Sequence, residues 1–151
     1  MMNYIDSLIE NCQKAKSAKP ISDFVLTDVT QIIGINKAIY IIEEIGGDSN
    51  KTFNLFSTYK KLKQRACPKL NAPSPVMYVG SSTTGIKKRI DQHLGNGPKD
   101  TYALHLKHWF NGQYKITIKV YDEPLAVLQI IEDALSHELN PAFGKRGSNN
   151  K

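Results

Sequence analysis

The chain has 151 residues, of which 40% are hydrophobic and 23% charged, and its formal net charge is +6. That is enough for one globular domain with a sizeable core, and the composition excludes a disordered chain. The positive balance suits a polyanionic partner, but charge alone identifies none.

Asn3 to about Ala18 reads as a helix, with Ile5, Leu8, Ile9 and Cys12 on one face expected to pack on the core. Pro20 stops it. Met1 to Pro20 carries acids and amides where a signal peptide has a continuous apolar core, and no apolar run reaches membrane-spanning length, so a cytoplasmic protein is expected. Cys12 and Cys67 match no metal spacing and read as free thiols. Phe24-Val25-Leu26 is a short apolar run, strand or loop.

Lys37 to Glu44 reads as a strand apolar on both faces, with Ala38, Tyr40 and Ile42 on one side and Ile39 and Ile41 on the other. It is therefore expected at the centre of a sheet. Gly46-Gly47-Asp48 ends it. Thr52 to Arg65 shows helical spacing of Phe53, Phe56, Tyr59 and Leu62. The basic cluster Lys60, Lys61, Lys63 and Arg65 around them is a solvated face or a DNA contact. Pro68, Pro73 and Pro75 mark an irregular connection.

Val76 to Ser81 is a second strand, followed by Thr84 as candidate N-cap of a helix carrying Ile86, Ile90 and Leu94. Gly95-Asn96-Gly97-Pro98 terminates that helix. Thr101 to Phe110 reads as another helix, with Leu106, Trp109 and Phe110 inward and Lys107 and His108 at the surface. Tyr114 to Tyr121 alternates as a half-wet strand, with Ile116, Ile118 and Val120 inward. Asp122-Glu123-Pro124 opens a last helix that runs to about Leu139 and ends at Asn140-Pro141.

Two placements point to chemistry. Arg89 and His93 lie one turn apart, so both leave the helix on the face next to the strand carrying Tyr78. A phenol, a guanidinium and an imidazole in one region suit phosphate chemistry. On the last helix, Leu125, Leu128, Leu135 and Leu139 form a stripe whose missing position is Glu132. This carboxylate is either buried opposite a cation or donors, or sits at the stripe's edge beside Gln129 and Ser136. Read with Tyr40, Tyr78 and Arg89, it is a candidate ligand for one Mg²⁺ or Mn²⁺.

Ala38-Ile39-Tyr40 and Tyr78-Val79-Gly80, with Arg89, His93 and Glu132 following in that order, resemble the signature of the GIY-YIG nucleases. The resemblance covers Lys37 to about Asn150, apart from most of Gly46 to Pro75, which resembles the insertions of restriction-type members. It implies an α+β fold: a small three-stranded antiparallel sheet flanked by helices, with core 37–145, insertion 46–75 and an extra N-terminal helix in 1–33. The implied activity is metal-assisted hydrolysis of a DNA phosphodiester, with Tyr40, Tyr78, Arg89, His93 and Glu132 catalytic and Glu132 holding the metal. Lys60, Lys63, Lys87, Lys88, Lys145, Arg146 and Asn149 are the expected DNA contacts, and a homodimer on DNA is one way to cut both strands. Ala38 stands where the family has glycine, and the family's C-terminal asparagine has Asn149, Asn150 or Asn140 as candidates. Two other readings compete: a non-catalytic nucleic-acid-binding module on the same surface, and an interaction domain docking a partner on the Phe53/Phe56/Tyr59 helix.

Overall fold

A computed structural model of the chain describes residues 3–145. Helix α1 (Tyr4–Ser17) is followed by strand β1 (Ser22–Val25), a 3-10 turn (Val29–Ile32), strand β2 (Ala38–Ile45) and helix α2 (Ser49–Lys61). Strand β3 (Val76–Ser82), helix α3 (Ile86–Leu94), a second 3-10 turn (Leu106–His108), strand β4 (Gln113–Val120) and helix α4 (Leu125–Leu139) complete it. The architecture is α+β, with one antiparallel sheet in the order β1-β4-β2-β3 among the described residues. None of these helices is long and apolar enough to cross a membrane.

β2 is central because five consecutive residues, Ala38 to Ile42, are apolar or aromatic and all are buried. A strand covered on both sides needs no alternation. β4 does alternate, burying Ile116 and Ile118 while Lys119 reaches across to Asp23 at 2.8 Å.

The sheet has four strands, not the expected three. Ser22 to Val25 pairs with β4 from Ser22↔Val120 to Val25↔Thr117. Only Phe24 in this strand is even partly buried, so no periodicity betrays it. The unpaired edge of β4 makes it a strand.

Two cores flank the sheet. On one face Tyr40, Ile42 and Tyr78 pack with Phe56 of α2, Ile86 and Ile90 of α3, Leu104 and Phe143. On the other, Ile39, Ile41 and Val79 meet Val127, Leu128 and Ile131 of α4. Each such side chain contributes about 1.5–3 kcal/mol when fully buried.

Three local expectations are corrected. Thr101 to Phe110 is not a helix: His105 adopts a left-handed conformation (φ 52°) and its Nε2 lies 2.9 Å from the Ala66 carbonyl and 3.0 Å from that of Thr101, which interrupts the helical path. The α1 stripe does not pack on the core. Tyr4, Ile5, Leu8 and Ile9 are exposed, and the helix docks on α4 through Ala15 and Ala18 instead. Helix starts also move. Asp48 caps α2 by accepting from the amides of Asn50 and Lys51, Gly85 rather than Thr84 precedes α3, and Pro124 is the N-cap of α4. α2 stops at Lys61, short of the expected Arg65, whereas the ends of α3 and α4 fall as the sequence indicates, with Gly95 left-handed after α3 (φ 108°) and Asn140 left-handed after α4 (φ 48°).

Candidate active site

The β2–β3 register sets Tyr40 opposite Gly80 and Ile42 opposite Tyr78. The two tyrosines are thus diagonal neighbours on one face, with rings 6.1 Å apart and nearly parallel at 6°. Gly80 makes room for this pair. A Cβ there would collide with the Tyr40 hydroxyl, lie 2.6 Å from Tyr40 Cζ and 2.9 Å from Tyr78 Cε1. The requirement is for space, not for an unusual backbone.

α3 brings the two basic groups to that pair. Arg89 donates from Nε to Tyr40 Oη at 3.2 Å, from Nη2 to Tyr78 Oη at 3.3 Å and from Nη1 to Gln92 Oε1 at 2.9 Å. His93 is fully buried, with Nε2 2.9 Å from Tyr40 Oη. Its other nitrogen, Nδ1, accepts the backbone N–H of Leu104 at 3.1 Å.

That contact decides the tautomer. A backbone amide can only donate, so Nδ1 is bare and the neutral ring carries its hydrogen on Nε2. Burial, reinforced by the Arg89 charge, holds the His93 pKa well below the ordinary range, so the ring is neutral at pH 7. His93 and Arg89 therefore both donate to Tyr40 Oη. Burial pushes the Tyr40 pKa far above its ordinary value, against the opposing pull of Arg89.

Glu132 arrives from the other side of the sheet. Ser81 stands opposite Ile39, which faces α4, and bonds the Glu132 carboxylate near the C-terminal end of β3, an edge strand. Gln129 Nε2 donates to Glu132 Oε2 at 3.2 Å and to Asp133 Oδ1 at 3.1 Å. Of the two sequence alternatives, burial holds: Glu132 is 6% exposed, whereas Leu125 of the same stripe is 63% exposed. Burial raises the Glu132 pKa and Asp133 adds to this, while the Ser81 and Gln129 hydrogen bonds and the Arg89 charge oppose it. The carboxylate lies within electrostatic reach of both Arg89 and Tyr40.

Glu132 suits a hard cation. Its direct partners are neutral donors, so its charge is solvated but not neutralised by contact. No group of three His, Cys, Asp or Glu side chains gathers among the described residues. Glu132, with Asp133 held by the same Gln129 amide, suits the arrangement in which Mg²⁺ takes few protein carboxylates, keeps most of its waters and takes phosphate oxygens.

The expected DNA-contact residues are more scattered. Lys87 is tied to Asp91 at 2.7 Å and Lys88 is exposed beside it on α3. Lys60 donates to the Pro68 carbonyl at 3.0 Å, and Lys63 is exposed just past α2 with φ 54°. Lys145 is partly buried at the end of the described residues, and Arg146, Asn149 and Asn150 lie outside them. Asn140 caps α4.

Sequence reasoning placed Gln129 beside Glu132 but missed Gln92, Ser81 and the Leu104 amide. Only the first was accessible to it, since Gln92 lies three residues from Arg89 on one helix face. Comparison with protein-family models, with curated proteins and with solved structures finds no match to this chain, so its chemistry is read from the geometry above.

Proposed function

We propose that this protein is a metal-dependent DNA endonuclease of the GIY-YIG type. One observation carries the reading: two phenols, a guanidinium and an imidazole form a single hydrogen-bonded cluster, with a buried carboxylate in electrostatic reach. Nothing in an ordinary sheet core requires that combination.

Arg89 bridges both phenol oxygens and, in this reading, turns its fork to a scissile phosphate as negative charge builds there. Tyr40 is the base toward water. An ordinary phenol falls about a thousandfold short of ionisation at pH 7, roughly 4 kcal/mol, and burial widens that gap. Two donors already on Tyr40 Oη stabilise a phenolate, leaving the hydroxyl proton directed away from both. His93 acts as a fixed donor rather than a proton relay, because its Nδ1 is occupied by the Leu104 amide. Glu132 would hold Mg²⁺ or Mn²⁺, with Ser81 and Gln129 orienting the carboxylate. When bound, the ion polarises the phosphate and stabilises the leaving 3′ oxygen.

The test is cleavage of supercoiled plasmid with Mg²⁺ or Mn²⁺ by wild type, Arg89→Ala and Glu132→Ala. Each variant is expected to lose about 10²-fold or more in rate. Equal cutting by all three overturns the mechanism. Tyr40→Phe is expected to keep DNA affinity and lose turnover. A second reading, a non-catalytic nucleic-acid-binding module, is favoured by the burial that keeps the Tyr40 hydroxyl protonated. It predicts duplex binding with no metal-dependent cutting at all.

A further inference from the structure

The C-terminal end of α2 and the turn after α3 flank an open surface cavity of about 450 Å³ whose lining does not include the two tyrosines. Lys60, Lys63, Arg65 and Lys99 line it against one acid, Asp100. The whole chain has 20 basic residues against 14 acidic, so a four-to-one excess in one cavity is not an even share of the overall charge. None of the four cations forms a salt bridge among the described residues.

Two of them are held by backbone carbonyls instead. Lys60 Nζ donates to Pro68 O, and Arg65 Nη1 donates to Gly97 O, each at 3.0 Å. These neutral acceptors fix the cations in place and leave their charge uncancelled. Like charges gathered in one cavity repel, and an anion relieves that repulsion.

The cavity does not stand alone. Gly97, which accepts from Arg65, also lines a neighbouring cavity of about 500 Å³ with Lys88 of α3 and with Lys87, whose charge is paired with Asp91 at 2.7 Å. Lys88 precedes Arg89 in sequence. A basic band thus runs from the end of α2, across the 97–100 turn, to the helix that carries the candidate catalytic arginine. A single small anion cannot span both cavities, whereas a phosphodiester backbone can.

We propose that the Lys60–Lys63–Arg65–Lys99 cavity seats a backbone phosphate of duplex DNA, distinct from the phosphate that meets Arg89. The seat positions the duplex without reading its bases, and Tyr102 also lines it. Assigning the other phosphate to Arg89 rests on the nuclease reading; the seat itself does not.

The test is anisotropy of a labelled duplex across a salt series, in EDTA so that nothing is cut. It compares wild type, Lys63→Ala/Lys99→Ala, Asp100→Asn and a control on α1, Lys16→Ala. The double variant is expected to bind at least tenfold more weakly, with a salt slope shallower by about 1 to 2. Asp100→Asn is expected to bind more tightly, and Lys16→Ala to match wild type. An unchanged slope in the double variant overturns the proposal, as does an equal loss from Lys16→Ala, which would mean net charge alone. Absence of duplex binding by wild type overturns it too. So does saturable binding of inorganic phosphate in the cavity, followed by amide chemical shifts around Arg65 and Lys99, when duplex affinity ignores Lys63 and Lys99. Plasmid cutting with Mg²⁺ by the same proteins separates the two readings. An altered slope without any cutting removes the nuclease and keeps the seat, whereas cutting with an unaltered slope does the reverse.

Discussion

The two faces of the sheet bury polar groups in opposite ways. Under α3, the hydroxyls of Tyr40 and Tyr78, the Arg89 fork and the His93 ring satisfy one another, with Gln92 and the Leu104 amide closing the ends. Under α4 the packing is apolar, Ile39, Ile41 and Val79 against Val127, Leu128 and Ile131, and the charge that enters it meets only neutral donors. That network spreads the Arg89 charge over three neutral acceptors, while the Tyr40 hydroxyl proton points away from both of its donors. A lone carboxylate retains a desolvation penalty. The contrast teaches that Arg89 lies in a polar network that shares its charge among two phenols and an amide, whereas Glu132 enters apolar packing with only Ser81 and Gln129 to solvate it.

Substitutions can sharpen or break that contrast. The largest effect is expected from Leu128→Ala, an ordinary core truncation on the α4 face: about 3 kcal/mol lost in urea denaturation, the same at pH 5 and pH 8. Gly80→Ala strikes the polar face. Its Cβ would drive the Tyr40 ring from His93 and crowd Tyr78, at a cost of about 2 kcal/mol. Stability at the wild-type level would show that the network is loose rather than packed.

Glu132→Gln should go the other way, stabilising the metal-free protein by about 1 kcal/mol at pH 7. The Glu132 pKa is raised by burial above its ordinary 4.5, so its contribution to stability is fully present below that pH and is lost as pH rises through the folded-state value. Glutamine does not ionise, so the gain should appear at neutral pH and vanish near pH 4. Millimolar Mg²⁺ should raise the melting temperature of wild type and not of the variant. A variant less stable than wild type at pH 7 would mean that Glu132 is a structural acceptor. The smallest effect belongs to Ile5→Ser on α1, expected to change stability by less than about 0.5 kcal/mol because that side chain is already in water.

Legibility in the sequence followed the range of the forces involved. The apolar run Ala38–Ile42 marks a strand covered on both faces, because a side chain's period and its burial are local facts. Helical spacing likewise puts Arg89 and His93 on one face, and both do reach Tyr40. The Glu132 gap in the Leu stripe left burial and the stripe's edge both open, and burial is found; Leu128, Leu135 and Leu139 pack on the core as the stripe has them, whereas Leu125 is exposed and Val127 and Ile131 join the contact. The apolar spacing of Leu106, Trp109 and Phe110 suggested a helix that does not form. His105 bonds to the distant Ala66 carbonyl, a long-range contact that overrides local spacing. The α1 stripe failed for a related reason. Amphipathic spacing describes a face without identifying its partner, and only Ala15 and Ala18 found one.

By itself the chain determined which residues form β2, β3 and β4, where α3 and α4 end, and that two phenols, a guanidinium, an imidazole and a carboxylate occur in an order compatible with one site. These depend on backbone period and capping, which act within a few residues. Tertiary structure alone decided that β1 joins the sheet, that Gly80 clears space for the Tyr40 hydroxyl, that Leu104 fixes the His93 tautomer, and that Ser81 and Gln129 hold Glu132 from the opposite face. Each of those outcomes is a contact between groups far apart in sequence or on different elements, set by packing and register rather than by any spacing along the chain.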